Sequence, residues 1–157
     1  MAYRHGQFAT PMAVGTALGL LAAVGAIAWL SPATITAAPW LVGSLFAILL
    51  GGFALFWRLV VEVDERHVRA VFGIGLLRRT LPLADVRRTE VVRTRVWWGY
   101  GIHWTPSGWL YNVAGRDAVR LEMASERAVI LGTDEPEALK RAIDQAVRAL
   151  PGQPPRH

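Results

Sequence analysis

A long uncharged stretch constrains this chain more than any other feature of its sequence. Residues 6–57 contain no Asp, Glu, Lys or Arg, and Arg4 is the only such residue before Arg58. A soluble domain does not leave so long a stretch without charge, whereas two consecutive transmembrane helices need about this length. The sequence therefore predicts a membrane hairpin over residues 1–57, a soluble domain over residues 58–150 and a flexible tail over residues 151–157.

Two transmembrane helices are predicted within the hairpin, over about residues 8–30 and 40–57. At 1.5 Å per residue their lengths are roughly 34 Å and 27 Å, close to the ~30 Å hydrocarbon core of a bilayer. Trp29 and Trp40 lie on either side of the short connection, and Trp57 closes the second helix. Indole rings prefer the depth of the membrane interface, so these positions fit the two predicted spans.

The charges that flank the hairpin predict its orientation. Arg4 precedes the first span and Arg58 follows the second, while the connection carries no charge. Basic residues favour the cytoplasmic side, so we expect a multi-pass protein of the inner membrane with both termini in the cytoplasm. Neither span holds an ionisable side chain, which argues against an ion pathway or a transporter.

Each predicted span carries a stripe of small residues at a spacing of four. Small residues let transmembrane helices approach closely. Packing of the two helices within one hairpin is the favoured interpretation, because the hairpin already supplies a partner. Self-association into a homo-oligomer is the alternative. The stripes consist of Gly15, Gly19 and Ala23 in the first span and Gly43, Ala47 and Gly51 in the second.

The soluble part alternates apolar and polar residues over short segments. This alternation predicts seven antiparallel strands in a bent sandwich or small barrel. A helix that ends at Leu150 follows, because apolar residues recur at spacings of three and four. Asp134 and Glu137 form a capping-box pattern at its start. The strands are predicted over residues 59–64, 67–72, 76–81, 86–96, 109–113, 118–124 and 127–131.

Two segments resemble a known family. The segment VEVDERHVRAVFGIGLLRRTLPLADV and the later WWGYGIHWTPSGWLYNVAGRDAVRLEM are similar to bacterial pleckstrin-homology-like (PH-like) domains that follow a pair of membrane helices. The resemblance covers about residues 59–150 and implies a mainly-β sandwich whose C-terminal helix caps one open end, but no reaction. Eukaryotic relatives bind phosphoinositides through basic residues around the first strand pair. Here that turn is Asp64-Glu65-Arg66, so this ligand is not expected.

An aromatic segment over residues 97–112 holds four of the seven Trp. Three interpretations stay open: rings that fill the core behind glycine turns, rings that rest on the membrane surface, and a loop that binds a partner or ligand. The candidate residues are Trp97, Trp98, Tyr100, His103, Trp104, Trp109 and Tyr111.

Six arginines cluster over residues 78–95, where Asp85 and Glu90 leave a net charge of +4, equal to that of the whole soluble part. One interpretation is a solvated strand face, and the other is contact with anionic lipid headgroups or an acidic partner. Nucleic acid is not expected, because stacking aromatics follow the cluster and do not interleave with it. The cluster consists of Arg78, Arg79, Arg87, Arg88, Arg93 and Arg95.

Catalytic patterns are weak. The four His are scattered without metal-ligand spacing, and the chain has no Cys. Ser107 lacks a Gly-x-Ser-x-Gly elbow, and the Gly73-Ile74-Gly75 turn precedes a strand, unlike a dinucleotide loop. The sequence therefore predicts a protein that is not an enzyme and has no cofactor or metal site. We expect a protein-interaction or scaffold module at the membrane, with binding of anionic lipid headgroups as the alternative and an enzyme as a second alternative.

Overall fold

The computed structural model describes residues 3–30, 33, 39–95, 98–125 and 127–151. They form two long apolar helices at the N-terminus, followed by a mainly-β domain with two sheets and a C-terminal helix. This confirms the predicted fold class at that level. Most of the connection between the long helices, Trp97 and the predicted tail after Pro151 lie outside the described residues.

The two long helices are α1 (Thr10–Leu30) and α2 (Pro39–Phe56). Their 21 and 18 residues correspond to roughly 32 Å and 27 Å. The mean hydropathy of their candidate spans is 1.9 and 2.0, and both are long and apolar enough to cross a membrane. The starts and ends of both helices lie close to those predicted.

The half-buried faces of the two helices carry mainly larger side chains, and most of the small-residue positions lie outside them. Thr16, Leu20 and Ile27 of α1 and Phe46 and Leu49 of α2 are half-buried. By contrast, an added Cβ would meet nothing within 4 Å at four stripe positions: Gly15, Gly19, Gly43 and Gly51. Ala47 is exposed, and Ala23 alone of the six lies on the half-buried face. Self-association through the stripes stays a prediction.

The first sheet begins before α1. Its strands β1 (Tyr3–Phe8), β2 (Arg58–Val63), β3 (His67–Phe72) and β4 (Leu77–Pro82) form an antiparallel meander in that order. β1 pairs with β2 along its whole length, and the Ala9 N–H donates to the Trp57 carbonyl at 2.8 Å. The two helices therefore continue neighbouring strands without a linker. The sequence predicts a membrane hairpin over residues 1–57, whereas Tyr3–Phe8 forms a strand of the first sheet.

The second sheet contains five strands in the order β5-β8-β9-β7-β6. Neighbouring strands are antiparallel except β7 and β9, which are parallel. The predicted seven antiparallel strands are therefore not confirmed, since the described residues hold nine strands and one parallel pair. A short 3₁₀ turn, Leu83–Asp85, leads into the sheet. The strands are β5 (Val86–Arg93), β6 (Gly101–Thr105), β7 (Gly108–Asn112), β8 (Asp117–Met123) and β9 (Val129–Gly132).

The C-terminal helix α3 (Pro136–Arg148) completes the core. Leu139, Ile143 and Val147 recur on its buried face and join residues of both sheets in one hydrophobic cluster. The predicted capping box is not formed. Glu135 is the N-cap and makes no side-chain capping bond, while Asp134 instead lies 2.6 Å from the His5 ring of β1. The first strand and the last helix are therefore held together.

Candidate functional site

Different strands of the second sheet lie near the long helices and near α3. The ring of Phe56, the last residue of α2, lies 5.8 Å from that of Phe72 on β3, which lies 6.1 Å from that of Tyr111 on β7. α3 packs instead against β5 and β8. β6 and β7 therefore lie toward the long helices, at the helix-proximal end. β5 is four strand positions from β6, or roughly 19 Å at the usual strand spacing.

The aromatic segment folds as the hairpin of β6 and β7. Pro106 and Ser107 connect the strands, and the Thr105 hydroxyl donates to the Gly108 carbonyl at 2.7 Å. Gly108 has a φ of +128° and packs directly against the Ala128 carbonyl, so this position requires glycine. The strand predicted over residues 109–113 is therefore present as β7, whereas β6 forms from residues for which no strand was predicted.

Two of the candidate aromatic residues contribute to the interior. Tyr111 is buried in the main core, in ring contact with Phe72. Trp98 is half-buried and packs against a second small cluster formed by Leu110, Ala118 and Ile130. These two rings stabilise the second sheet from its opposite faces. Trp97 lies outside the described residues.

Three other aromatic residues are exposed, and we call them the aromatic edge: Tyr100, Trp104 and Trp109. They are 41%, 55% and 40% exposed. Trp104 and Trp109 are direct cross-strand neighbours, and the Arg127 guanidinium lies 5.5 Å from the Trp104 ring centroid. Among the described strands, β6 lies at the margin of its sheet. An edge strand with exposed large rings is a surface on which another chain can dock.

His103 directly precedes Trp104 on β6, so its side chain points to the opposite face of the strand. Its side chain is half-buried, and its Nε2 is buried without a hydrogen-bond partner among the described residues. Among the residues that the structure describes, no three His, Asp or Glu side chains are grouped closely enough to hold a metal ion.

The six predicted arginines are distributed over both sheets. Arg78 and Arg79 lie on β4 in the first sheet, whereas Arg87, Arg88 and Arg93 lie on β5 in the second, and Arg95 follows β5. Arg93 is 3.7 Å from the Asp117 carboxylate. The cluster in sequence therefore divides into separate surfaces with different neighbours.

A basic cleft of about 330 Å³ lies between β5 and α3, at the end opposite the long helices. Its one carboxylate, Asp144, accepts hydrogen bonds from Thr89 and from Lys140, the latter at 2.6 Å. The arginines around it give the cleft a positive potential. Lys140 and Arg148 join it only because α3 packs on β5, so the sequence pattern did not reveal them. The cleft is lined by Arg87, Arg88, Thr89, Lys140, Asp144, Val147 and Arg148.

The acidic turn after β2 has a structural role. The Asp64 carboxylate accepts backbone hydrogen bonds from Arg66 at 2.8 Å and His67 at 2.6 Å. These bonds, with Arg69 at 3.1 Å, lower the pKa of Asp64 below its usual range. The turn is therefore ordered by its own carboxylate.

β1, for which the sequence predicts no strand, also contacts residues outside the first sheet. Gln7 donates to the Ala114 carbonyl at 3.1 Å, and the Tyr3 hydroxyl donates to Glu135 at 3.5 Å. Burial, with Glu135 nearby, raises the pKa of Tyr3 to about 12. The pairing of β1 therefore supports the whole β domain.

Comparisons of the chain with protein-family models, with curated proteins and with solved structures find no match. Function is therefore inferred from the geometry of the β domain and its attachment to the long helices.

Proposed function

We propose that this chain is a non-catalytic, membrane-anchored protein-interaction module. α1 and α2 span the inner membrane, and the β domain lies in the cytoplasm. Arg4 and Arg58 support this orientation, since both flank the helices on the side of the β domain. The ladder between β1 and β2 supports the proposal that both ends of the hairpin lie on one side of the bilayer.

The β domain is proposed to be PH-like. A four-stranded antiparallel meander, a second sheet and one C-terminal helix against the core support this assignment. The parallel pairing of β7 with β9 departs from a simple meander in the second sheet. The proposal of an interaction module rests on the surface of the domain and does not depend on the family.

The aromatic edge is the observation that carries the proposal. The outer backbone groups of β6 have no neighbouring strand among the described residues, so an extended segment of a partner protein can pair with them. Trp104 and Trp109 would anchor that segment, because large rings with few rotatable bonds dominate binding energy at interfaces. Arg127 beside Trp104 and the net charge of +5 favour a segment with acidic residues.

Photo-crosslinking in native membranes tests this proposal. A benzoylphenylalanine at Tyr100, beside β6, is expected to give one saturable protein adduct whose crosslinked peptide is acidic and extended. Trp104→Ala is expected to abolish the adduct. Trp40→Ala is the matched control, since Trp40 is also exposed but belongs to the opposite end of α2. Loss of the adduct in the control alone, or an adduct indifferent to Trp104→Ala, contradicts the proposal.

Contact of the aromatic edge with anionic lipid headgroups is the second candidate. It is favoured by the ring contacts that connect β7 through Phe72 to the end of α2. In nanodiscs with anionic lipid, this candidate predicts adducts of the same crosslinker with lipid, which decrease when the salt concentration is raised. Protein adducts that persist at high salt favour the first candidate.

A further inference from the structure

The turn between β3 and β4 runs beside the last turn of α2. The Gly73 N–H donates to the Arg58 carbonyl at 2.7 Å. A Cβ on Gly73 would lie 2.5 Å from the Leu55 carbonyl oxygen and closer still to that of Ala54. Both carbonyls belong to the last turn of α2. The β3–β4 turn therefore extends beyond the edge of the sheet and lies beside the helix.

This turn exposes two large aliphatic side chains. Ile74 is 65% exposed and Leu76 is 70% exposed. Turns usually carry polar residues, and here two glycines with positive φ, Gly73 and Gly75, shape the backbone that presents Ile74 and Leu76 outward. Two such side chains on one turn are well placed to enter an apolar environment outside the domain.

The neighbours of the turn have the composition of a membrane interface. Phe8 is 54% exposed, and its ring lies 5.6 Å from that of Trp57. The Arg58 guanidinium lies 5.5 Å from the same Phe8 ring, and exposed Arg78 comes two residues after Leu76. Apolar rings and aliphatic chains with arginines directly behind them are typical of the depth at which a protein leaves the hydrocarbon core.

We infer that the turn over residues 73–76 inserts Ile74 and Leu76 into the boundary between lipid headgroups and acyl chains, beside α2. This inference rests on the proposal that α1 and α2 span a bilayer. The turn is a third attachment point next to the two helices, so the domain has one fixed tilt. In that tilt the basic cleft between β5 and α3 points away from the membrane.

Depth-dependent fluorescence quenching tests the inference in proteoliposomes of the full chain. The chain has no Cys, so single cysteines can be labelled selectively. An environment-sensitive dye is placed at Ile74→Cys or Leu76→Cys, with the exposed turn residue Glu65→Cys as the aqueous reference and Ala47→Cys in the middle of α2 as the membrane reference. We expect the dyes at 74 and 76 to emit at shorter wavelength than the dye at 65. They should be quenched by lipids brominated near the headgroup and several-fold less by aqueous iodide.

Each outcome has one meaning. If the dyes at 74 and 76 behave like that at 65 while the dye at 47 is quenched by deeply brominated lipids, the inference is overturned and the membrane anchor stands. If the dye at 47 is not quenched by any brominated lipid, the anchor and the inference fall together. Hydrogen exchange of the unlabelled protein gives an independent check, since slow exchange at residues 74–76 in nanodiscs should become fast after Ile74→Ser with Leu76→Ser. Unchanged exchange in that variant also overturns the inference.

Discussion

Substitution of Gly73 by alanine should separate the β3–β4 turn from α2, and Gly75 supplies the matched control. Both glycines have positive φ, +48° and +90°. Alanine therefore adds about 1–2 kcal/mol of backbone strain at either position. At Gly75 the new Cβ would meet only the Val71 side chain, at 3.8 Å, which is an ordinary contact. Gly75→Ala should thus lose no more than the strain.

At Gly73 the new Cβ would overlap two backbone carbonyls of α2, which cannot move as a side chain can. Overpacking of this kind costs about 1–3 kcal/mol. Displacement of the turn would also weaken the bond from the Gly73 N–H to Arg58, by about 1 kcal/mol. The expected difference between the two variants is therefore about 2–4 kcal/mol, or roughly 8–30 °C in Tm for a domain of about 100 residues.

The assay is thermal unfolding of the full chain in mild detergent, followed by circular dichroism in the β-sheet region, with urea unfolding as a second measure. Gly73→Ala should unfold well below Gly75→Ala, and Gly75→Ala slightly below the wild type. Equal midpoints for the two variants would refute the reasoning, because strain alone would then account for both.

Three further predictions concern the β domain. The stability of the β domain should fall between pH 10 and about pH 12. The pKa of Tyr3 is raised from 10.0 in the unfolded chain to about 12, so its contribution to stability is complete below pH 10 and is lost as the pH rises. A pH series of unfolding midpoints should show this fall, and Tyr3→Phe should lessen it. Gly108→Ala should cost about 3 kcal/mol or more, because its Cβ would overlap the Ala128 carbonyl. The control Gly99→Ala, with a φ of +68° and no atom within 4 Å, should cost only about 1–2 kcal/mol in the same melts. A fragment of residues 58–157 should be less stable than the full chain by several kcal/mol, because it lacks β1 and exposes the edge of β2. A peptide of residues 1–9 should restore part of the loss, and equal stability of fragment and full chain would contradict the role of β1.

The elements that were predicted are those whose pattern is local. α1 and α2 follow from the absence of charge, and α3 follows from apolar residues at helical spacing. β1 could not be recognised in this way, since Tyr3–Phe8 is short and largely polar and becomes a strand only through pairing with β2. Its partner is separated from it by both long helices, so no local signal reports the pairing.

The candidate site shows the same limit. Trp98 and Trp104 belong to one aromatic segment, yet the first packs on Ile130 and the second is exposed, because their neighbours come from other strands. The parallel pairing of β7 with β9 has a similar origin, since alternation along a strand does not specify the direction of its neighbour. The arginine pattern likewise contained no sign of Lys140, which reaches the basic cleft only through the packing of α3.

The pairing of β1 with β2 has a consequence for biogenesis. The ribosome releases β1 first, but its partner emerges only after both long helices have been synthesised. If one helix inserted without the other, the two strands would be left on opposite faces of the bilayer, and the edge of β2 would stay open. If α1 and α2 span a bilayer as proposed, the first sheet closes only after the chain has crossed the membrane and returned, and completion of the domain then depends on correct insertion of the hairpin.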